Sequence, residues 1–435
     1  MKQFKLLILG LTYSKLLLFS TNVFSQPIGW ASINGGVTGG SGGDTVIVTN
    51  RNQLETAINN KKAMVLLIKD TIDFKNGDRI TVSNNNITIE GIGNTAMIKN
   101  GGLQITGKNV IVRNISIGDS YIDGHWDGKG NAAGDALTLC GQNIWIDHCE
   151  FFHGFDGLLD ISKSDSSVGD FITISYCKFH DHNKTMLIGS KDDDPVYRGK
   201  LNVTVHHCWF DGTTKFYDKI DGRYYGLTQR MPRVRYGNVH VFNNYYEEVD
   251  GYCIGARFES KIVAENNYFR NLESPHLIDD IGKGIRNPEL RALGNIYDNI
   301  TGKTDTMGFA FNPSDFYIYK ADKAENVPVI VMNNAGKLKR KNNNNPIAKN
   351  DIINTIWQNE IIINPLKNDT DADKDSLRLA GISNNNIQGK IIVLPNSIKY
   401  YPPKDFYKKQ IIKYTIIDMN GGMDEGEIEI NIIKP

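Results

Sequence analysis

Seven nine-residue segments in the middle of the chain superimpose without gaps, and each alternates apolar with polar positions. They are NVIVRNISI (109–117), NIWIDHCEF (143–151), FITISYCKF (171–179), NVTVHHCWF (202–210), NVHVFNNYY (238–246), KIVAENNYF (261–269) and ELRALGNIY (289–297). The alternation puts Ile144 and Ile146, or Val203 and Val205, on one face, as in a strand with one side buried. Segment starts are separated by 34, 28, 31, 36, 23 and 28 residues, with no helical pattern between them. Short strands recurring at such intervals predict a solenoid, and one strand per turn in register predicts a right-handed, single-stranded parallel β-helix. A propeller blade needs about 40 residues for its four strands, more than these intervals hold. The unequal spacing predicts loops of unequal length on one side of the coil, commonly the binding side of a repeat fold.

The seventh position of the repeat runs Ile115, Cys149, Cys177, Cys208, Asn244, Asn267, Asn295. Stacked strands lie about 4.8 Å apart, so this is a column of cysteines continuing into a column of asparagines. Stacked asparagine amides can hydrogen-bond from coil to coil. The cysteines are expected as small buried apolar residues rather than disulfides, although the stacking distance permits a bridge. Cys140 and Cys253 fall outside the column, and no CxxC metal pattern is present.

The pattern changes near residue 338. LKRKNNNN reads as a polar linker over 338–345. Beyond it, 346–435 is rich in Ile and Asn, with short alternating runs such as GKIIVLP and GEIEINII split by turn residues. That predicts a small β-sandwich, and the segment resembles the cadherin-like modules appended to exported bacterial proteins. In DTDADKD, Asp369, Asp371, Asp373 and Asp375 alternate, which fits either a calcium ligand set or a solvated turn. The EF-hand pattern fails, because Lys374 and Ala380 stand where its glycine and glutamate belong.

Composition narrows the classes. The chain has 435 residues, enough for more than one domain, and its 49 basic and 49 acidic residues cancel. A neutral chain lacks the basic field that broad nucleic-acid binding needs. The first 25 residues, MKQFKLLILGLTYSKLLLFSTNVFS, carry Lys2, Lys5 and Lys15, no acid, and an apolar stretch. They read as a secretory signal, making the protein exported and the coil domain 26–337. A membrane anchor would need about 20 uninterrupted apolar residues, which Lys15 forbids. A monomer is expected.

Against that neutrality, Arg230, Arg233 and Arg235 cluster in QRMPRVRYGNVHVFNNYY (229–246). Three guanidiniums so close repel one another unless something anionic sits among them. Three acids lie in or beside strands rather than in polar loops: Asp135 opens DALTL, while Asp156 and Asp160 sit in FDGLLDI. The last two are four apart, hence on one face of an extended chain. Stacking brings Asp135 toward them from a neighbouring coil. Converging carboxylates call either for a hard divalent cation, with calcium favoured for an irregular oxygen set, or for a solvated acidic face. Lys184, in FHDHNKTMLIGS, falls between the acids and the arginines. Carboxylates of a polyanion would satisfy metal, lysine and arginine together.

GWASINGGVTGGSGGDTVIVTNRNQLETAI (29–58), WIDHCEFFHGFDGLLDIS (145–162), YCKFHDHNKTMLIGS (176–190), RMPRVRYGNVHVFNNYY (230–246) and FYIYKADKAENVPVIVMNNAG (316–336) resemble the pectate lyases of polysaccharide lyase family one, in the right order from about 27 to 337. The resemblance implies a parallel β-helix, calcium held by Asp135, Asp156 and Asp160, and polygalacturonate as substrate. It implies Arg230 as the proton-abstracting base, Lys184 and Arg235 as carboxylate-binding residues, and Arg233 as support for the groove. The implied reaction is β-elimination to a 4,5-unsaturated sugar, with water protonating the leaving oxygen. A free guanidinium titrates above about 12, so deprotonating it near neutrality costs roughly 7 kcal/mol; nearby cations lower that cost.

Retention of all three acids argues against the pectin lyase branch, which acts on methylated substrate without the calcium site. A polygalacturonase-type hydrolase would need paired acids working with water and leaves the arginines without a task. A non-catalytic pectin-binding or adhesive protein stays open because of the C-terminal module. His148, His206 and His207 are expected as packed or surface histidines, and Asp147 as structural. His180 and His182 flank Asp181 near Lys184, where they can support the site, and KDDDP (191–195) reads as a turn.

Overall fold

In a computed structural model, residues 26–124, 134–278, 287–338, 343–357, 359–382, 387–394, 396–418 and 422–434 are described. The expected signal over 1–25 and residues 339–342 of the expected linker lie outside these. The period-2 segments form a 23-stranded, all-parallel sheet coiled into a right-handed β-helix with three walls. The gapless superposition is reproduced as pairing: Val110, Ile144, Ile172, Val203, Val239, Ile262 and Leu290, all second in the repeat, are consecutive partners along the first wall.

The sixth position turns the chain from the first wall to the second. Asn114, His148, Tyr176, His207, Asn243, Asn266 and Gly294 all take a left-handed φ, between 48° and 61°. Glycine and asparagine tolerate that region; histidine and tyrosine adopt it against their preference. On the second wall the ninth position points inward, and Phe151, Phe179, Phe210, Tyr246 and Phe269 stack with centroids 4.6–5.2 Å apart. Such offset pairs add about 0.5–1.5 kcal/mol each beyond burial.

At the corner between these walls the seventh-position column is fully buried from Ile115 to Asn267, with Asn295 half-buried, and its cysteines are free thiols. Below them the asparagines form a ladder. Asn267 Oδ1 accepts from the Asn244 backbone N (2.9 Å) and the Asn244 amide (3.0 Å), while Asn267 Nδ2 donates to Val241 O (2.9 Å) and Asn295 Oδ1 (3.0 Å). Asn267→Ala would orphan two buried donors and one acceptor, at about 1–3 kcal/mol each, while Cys177→Ala removes only a small apolar group. A thermal melt should show a drop several times larger for the asparagine variant; equal drops would mean that the ladder contributes nothing beyond volume.

Two further coils precede the seven repeats. Met64–Val82 and Ile87–Ile105 each run as one continuous strand around all three walls. Their open end is capped by the helix Arg51–Asn59, which buries Leu54, Ala57 and Ile58 and takes its N-cap from Asn50, whose Oδ1 accepts from Gln53 N. A second short helix, Val327–Asn334, packs Val327 and Val331 on Tyr245.

The third wall matters for function. Its strands 103–105, Leu137–Leu139, Leu159–Ile161, Met186–Ile188, Arg233–Val234, Tyr252–Ala256 and Ser274–Ile278 pair in succession. Leu137, Leu139, Leu159, Ile161, Met186 and Ile188 face the core. The positions between them face outward in one row: Gln104, Thr138, Asp160, Leu187, Arg233 and Gly255.

The C-terminal body is the expected sandwich. A four-stranded sheet (Asp351–Ile356, Met423–Ile433, Lys409–Ile417, Arg378–Ile382) and a three-stranded one (Ile361–Ile363, Ser397–Tyr401, Lys390–Leu394) enclose Leu379, Ile398, Tyr400, Ile412, Tyr414, Ile428 and Ile430. Met423 of this body packs with Ile47 against Val65, Leu67 and Ile92 of the coil. No helix among the described residues is long and apolar enough to cross a membrane.

Candidate active site on the third wall

Four consecutive coils of the third wall carry the acids, the lysine and the arginines. Asp135 leads into Leu137–Leu139, Asp156 and Asp160 belong to the coil of Leu159–Ile161, and Lys184 leads into Met186–Ile188. Arg230, Arg233 and Arg235 surround the strand Arg233–Val234. At about 4.8 Å per coil the set spans roughly 15 Å, the length of a short oligosaccharide.

Two of the three carboxylates face each other across Gly157. A Cβ at that position would lie 2.7 Å from Asp135 Oδ1 and 3.5 Å from Asp160 Oδ1, so any side chain there would intrude between them. Asp135 Oδ2 accepts from Thr138 Oγ1 (3.0 Å), and Asp160 Oδ1 accepts from the Leu187 backbone N (2.9 Å). Desolvation and then the charge of Asp156 push the Asp135 carboxyl up; Arg79 opposes them. Desolvation and then Asp135 push Asp160 well up, against the pull of Arg230. Both acids are thus costly as bare anions, a cost that a bound cation relieves.

Asp156 stands apart. Its Oδ1 accepts from Lys184 Nζ at 2.8 Å and its side chain is 44% exposed. Among the described residues only Asp371, Asp373 and Asp375 of the sandwich form a trio whose carboxylate oxygens all lie within 4.8 Å of one another. The third-wall trio is looser, with Asp156 turned to its lysine. His182 holds the Asp156 backbone: its Nε2–H donates to Asp156 O at 2.8 Å, and desolvation lowers its pKa to about 4, so it stays neutral. His180 turns the other way, onto the second wall, between Asp181 and Glu150.

The arginines differ among themselves. Arg230 has a left-handed φ of 66° and precedes the cis Met231–Pro232 bond. In this fold left-handed residues mark many corners, so that angle alone is no functional signature. What distinguishes Arg230 is its place: its carbonyl accepts from Met186 N (2.6 Å), and its charge acts on Asp160. Arg233 sits in the outward row between Leu187 and Gly255.

Arg235 already holds an anion. Its Nε donates to Asp192 Oδ1 and its Nη1 to Gly189 O (3.1 Å), and Arg257 Nη2 donates to the other Asp192 oxygen at 2.9 Å. Against the desolvation that would raise it, hydrogen bonds from Arg257 and Arg235 hold the Asp192 carboxyl well below the usual range. Neither Asp192 nor Arg257 stands out in the sequence. KDDDP does form a turn, with Asp194 capping the short 3-10 helix Pro195–Tyr197, but the same turn delivers Asp192 to the guanidiniums.

The remaining candidates are structural. Asp147 Oδ1 accepts from Ser175 Oγ and Oδ2 bonds His148 Nδ1 (2.8 Å), on the first wall. His206 and His207 are buried, with His207 Nε2 on Asp322 at 3.0 Å.

Comparison with known proteins gives the family of the coil. A family model described as pectate lyase matches residues 4–340, and one described as a bacterial Ig domain matches 343–431. A pectate trisaccharide-lyase of Bacillus licheniformis is 32% identical over 326 residues, covering 71% of this chain and 85% of its own. One of Thermotoga maritima is 38% identical over 229 residues, covering 51% and 57%. The crystal structure of a pectate lyase from a Bacillus species in complex with trigalacturonate superimposes with a TM-score of 0.59 at 26% identity, over 71% of this chain and 98% of that one. With a family model spanning the whole coil, and relatives of this identity and coverage, the chain belongs to the pectate lyase family.

Proposed function

We propose that this protein is an exported, calcium-dependent lyase, monomeric, that cleaves (1→4)-α-D-galacturonan by β-elimination and leaves 4,5-unsaturated oligogalacturonides. The observation that carries it is the order on the third wall: Asp135, then Asp156 and Asp160, then Lys184, then Arg230, Arg233 and Arg235, on four successive coils. The names of the relatives and the trigalacturonate bound to the neighbouring structure support the substrate class. Export rests on the signal-like residues 1–25.

The donor set fits calcium. Asp135 and Asp160 offer hard carboxylate oxygens on either side of Gly157, both raised in proton affinity by burial and mutual charge, and Asp156 lies on the same coil as Asp160 to complete the set. What a bound calcium supplies is charge withdrawal from the uronate carboxylate, which acidifies the proton on C5. Lys184 and Arg235 grip carboxylates along the chain, and Arg233 supports the row. The Arg230 guanidine takes the C5 proton; the C5–H electron pair becomes the C4–C5 double bond as the C4–O bond breaks, and water protonates the leaving oxygen.

A hydrolase reading needs paired acids as general acid and base and leaves the arginines without a catalytic task. Incubating purified protein with polygalacturonate, with and without added calcium, separates the alternatives. The expected result is ultraviolet absorbance from a conjugated double bond, present only with calcium. New reducing ends without absorbance would mean hydrolysis, and binding without either would mean an adhesive protein.

A further inference from the structure

One cation of the third wall has no part in that chemistry. Arg79 lies in Met64–Val82, two coils before the strand that Asp135 leads into, in register with Gly102 on the intervening coil. Gly102 carries no side chain between Arg79 and the coil of Asp135. A Cβ on Gly134 would lie only 1.5 Å from Arg79 Nη2, which places the head group beside Asp135. Among the described residues it forms neither an ion pair nor a hydrogen bond, and its Nε is buried without a partner. Lys184, Arg230 and Arg235 all lie on the opposite, C-terminal side of the acids. The acidic centre is therefore flanked by cations on both sides along the direction of stacking.

That arrangement matches a polymer with one carboxylate on every ring. A chain laid along the wall, with one carboxylate at the acids and the next ones at Lys184 and Arg235, presents a further carboxylate toward the N-terminal coils. A guanidinium suits that carboxylate, because its fork of N–H donors binds both oxygens. We propose that Arg79 is a substrate-binding residue that takes this further carboxylate and so sets the length of chain the groove prefers. The inference rests on the uronate reading of the site. The competing role for Arg79 is a counter-ion that only balances Asp135.

Arg79→Ala and the length-conserving Arg79→Gln, each loaded with calcium, separate the two roles. Calorimetry would follow trigalacturonate and hexagalacturonate binding, and chromatography the product lengths from polygalacturonate. The expected result is about a tenfold loss of hexagalacturonate affinity, equivalent to about 1.4 kcal/mol, with trigalacturonate changed less than threefold and the product distribution shifted. Arg79→Lys should restore part of the loss. An unchanged ratio of the two affinities, with tighter calcium binding as the sole effect, would overturn the proposal and leave the counter-ion role. Arg79→Gln carries the test if the alanine variant fails to fold. Because binding is read directly, a wild-type protein that binds hexagalacturonate but releases no unsaturated product refutes the lyase reading, while the ratio of the two affinities still decides the role of Arg79.

Discussion

Arg230→Ala should lower turnover of polygalacturonate by roughly 10³-fold while leaving hexagalacturonate binding within a few-fold of wild type. A positioned general base contributes about 10²–10⁴ in rate. Arg233 and Arg235 follow Arg230 within five residues, and Lys184 sits on the preceding coil. The charge of Arg230 favours the Asp160 carboxylate. Under the proposed reading, a calcium ion at Asp160 would share that carboxylate with the field of Arg230. Arg230→Lys keeps a cation but shortens the reach and loses the planar fork, so it should recover little rate. Measured by ultraviolet absorbance, a loss in kcat with KM nearly constant marks a group used in the transition state. Retention of full turnover in Arg230→Ala would falsify the base assignment, and a loss confined to KM would make Arg230 another carboxylate clamp.

The coil is legible in the sequence because its signal is redundant. Seven segments share one alternation, so the partners from Val110 to Leu290 align on their residues alone. The Cys–Asn column is legible for the same reason, since a position repeated on every coil is a contact. The first two coils are not. Met64–Val82 and Ile87–Ile105 run around the corners as unbroken strands, without a cysteine or asparagine marking the seventh position, so Arg79 lies outside any frame that could place it. The helix Arg51–Asn59 does carry a signal, in Asn50 followed by Leu54, Ala57 and Ile58 at helical spacing. That signal spans little more than two turns and lies between two apolar strands, Asp44–Val48 and Met64–Val82, whose pattern dominates the stretch.

The site itself is legible only as residue types in order. Spacing brings Asp156 and Asp160 onto one coil, but it cannot say that Asp156 turns to Lys184, because that depends on side-chain direction at a corner. Asp192 illustrates the same limit: a run of acids in a turn is ordinarily solvated, and only the fold of 189–196 onto the third wall makes it the partner of Arg235 and Arg257.

Asp160→Asn should move stability in opposite directions with and without calcium. In the metal-free protein the Asp160 carboxylate is destabilised by desolvation and by Asp135. An acid whose folded-state pKa is raised weighs against folding once pH exceeds its unfolded value, and it does so fully above the folded one. Removing the charge therefore relieves the native state near neutrality. The amide oxygen can still accept from Leu187 N, so the coil keeps its hydrogen bond. At about 2–4 °C per kcal/mol for a domain of this order, the metal-free variant should melt a few degrees above metal-free wild type. Calcium reverses the ranking. A ligand at 100 times its Kd stabilises the state that binds it by about 2.7 kcal/mol, which wild type should gain and the variant should lose, together with activity. A destabilising metal-binding carboxylate is the expected signature of a site kept for chemistry rather than for folding. If melting with and without calcium instead shows Asp160→Asn less stable in both conditions, then Asp160 serves the coil and the third wall holds no cation there.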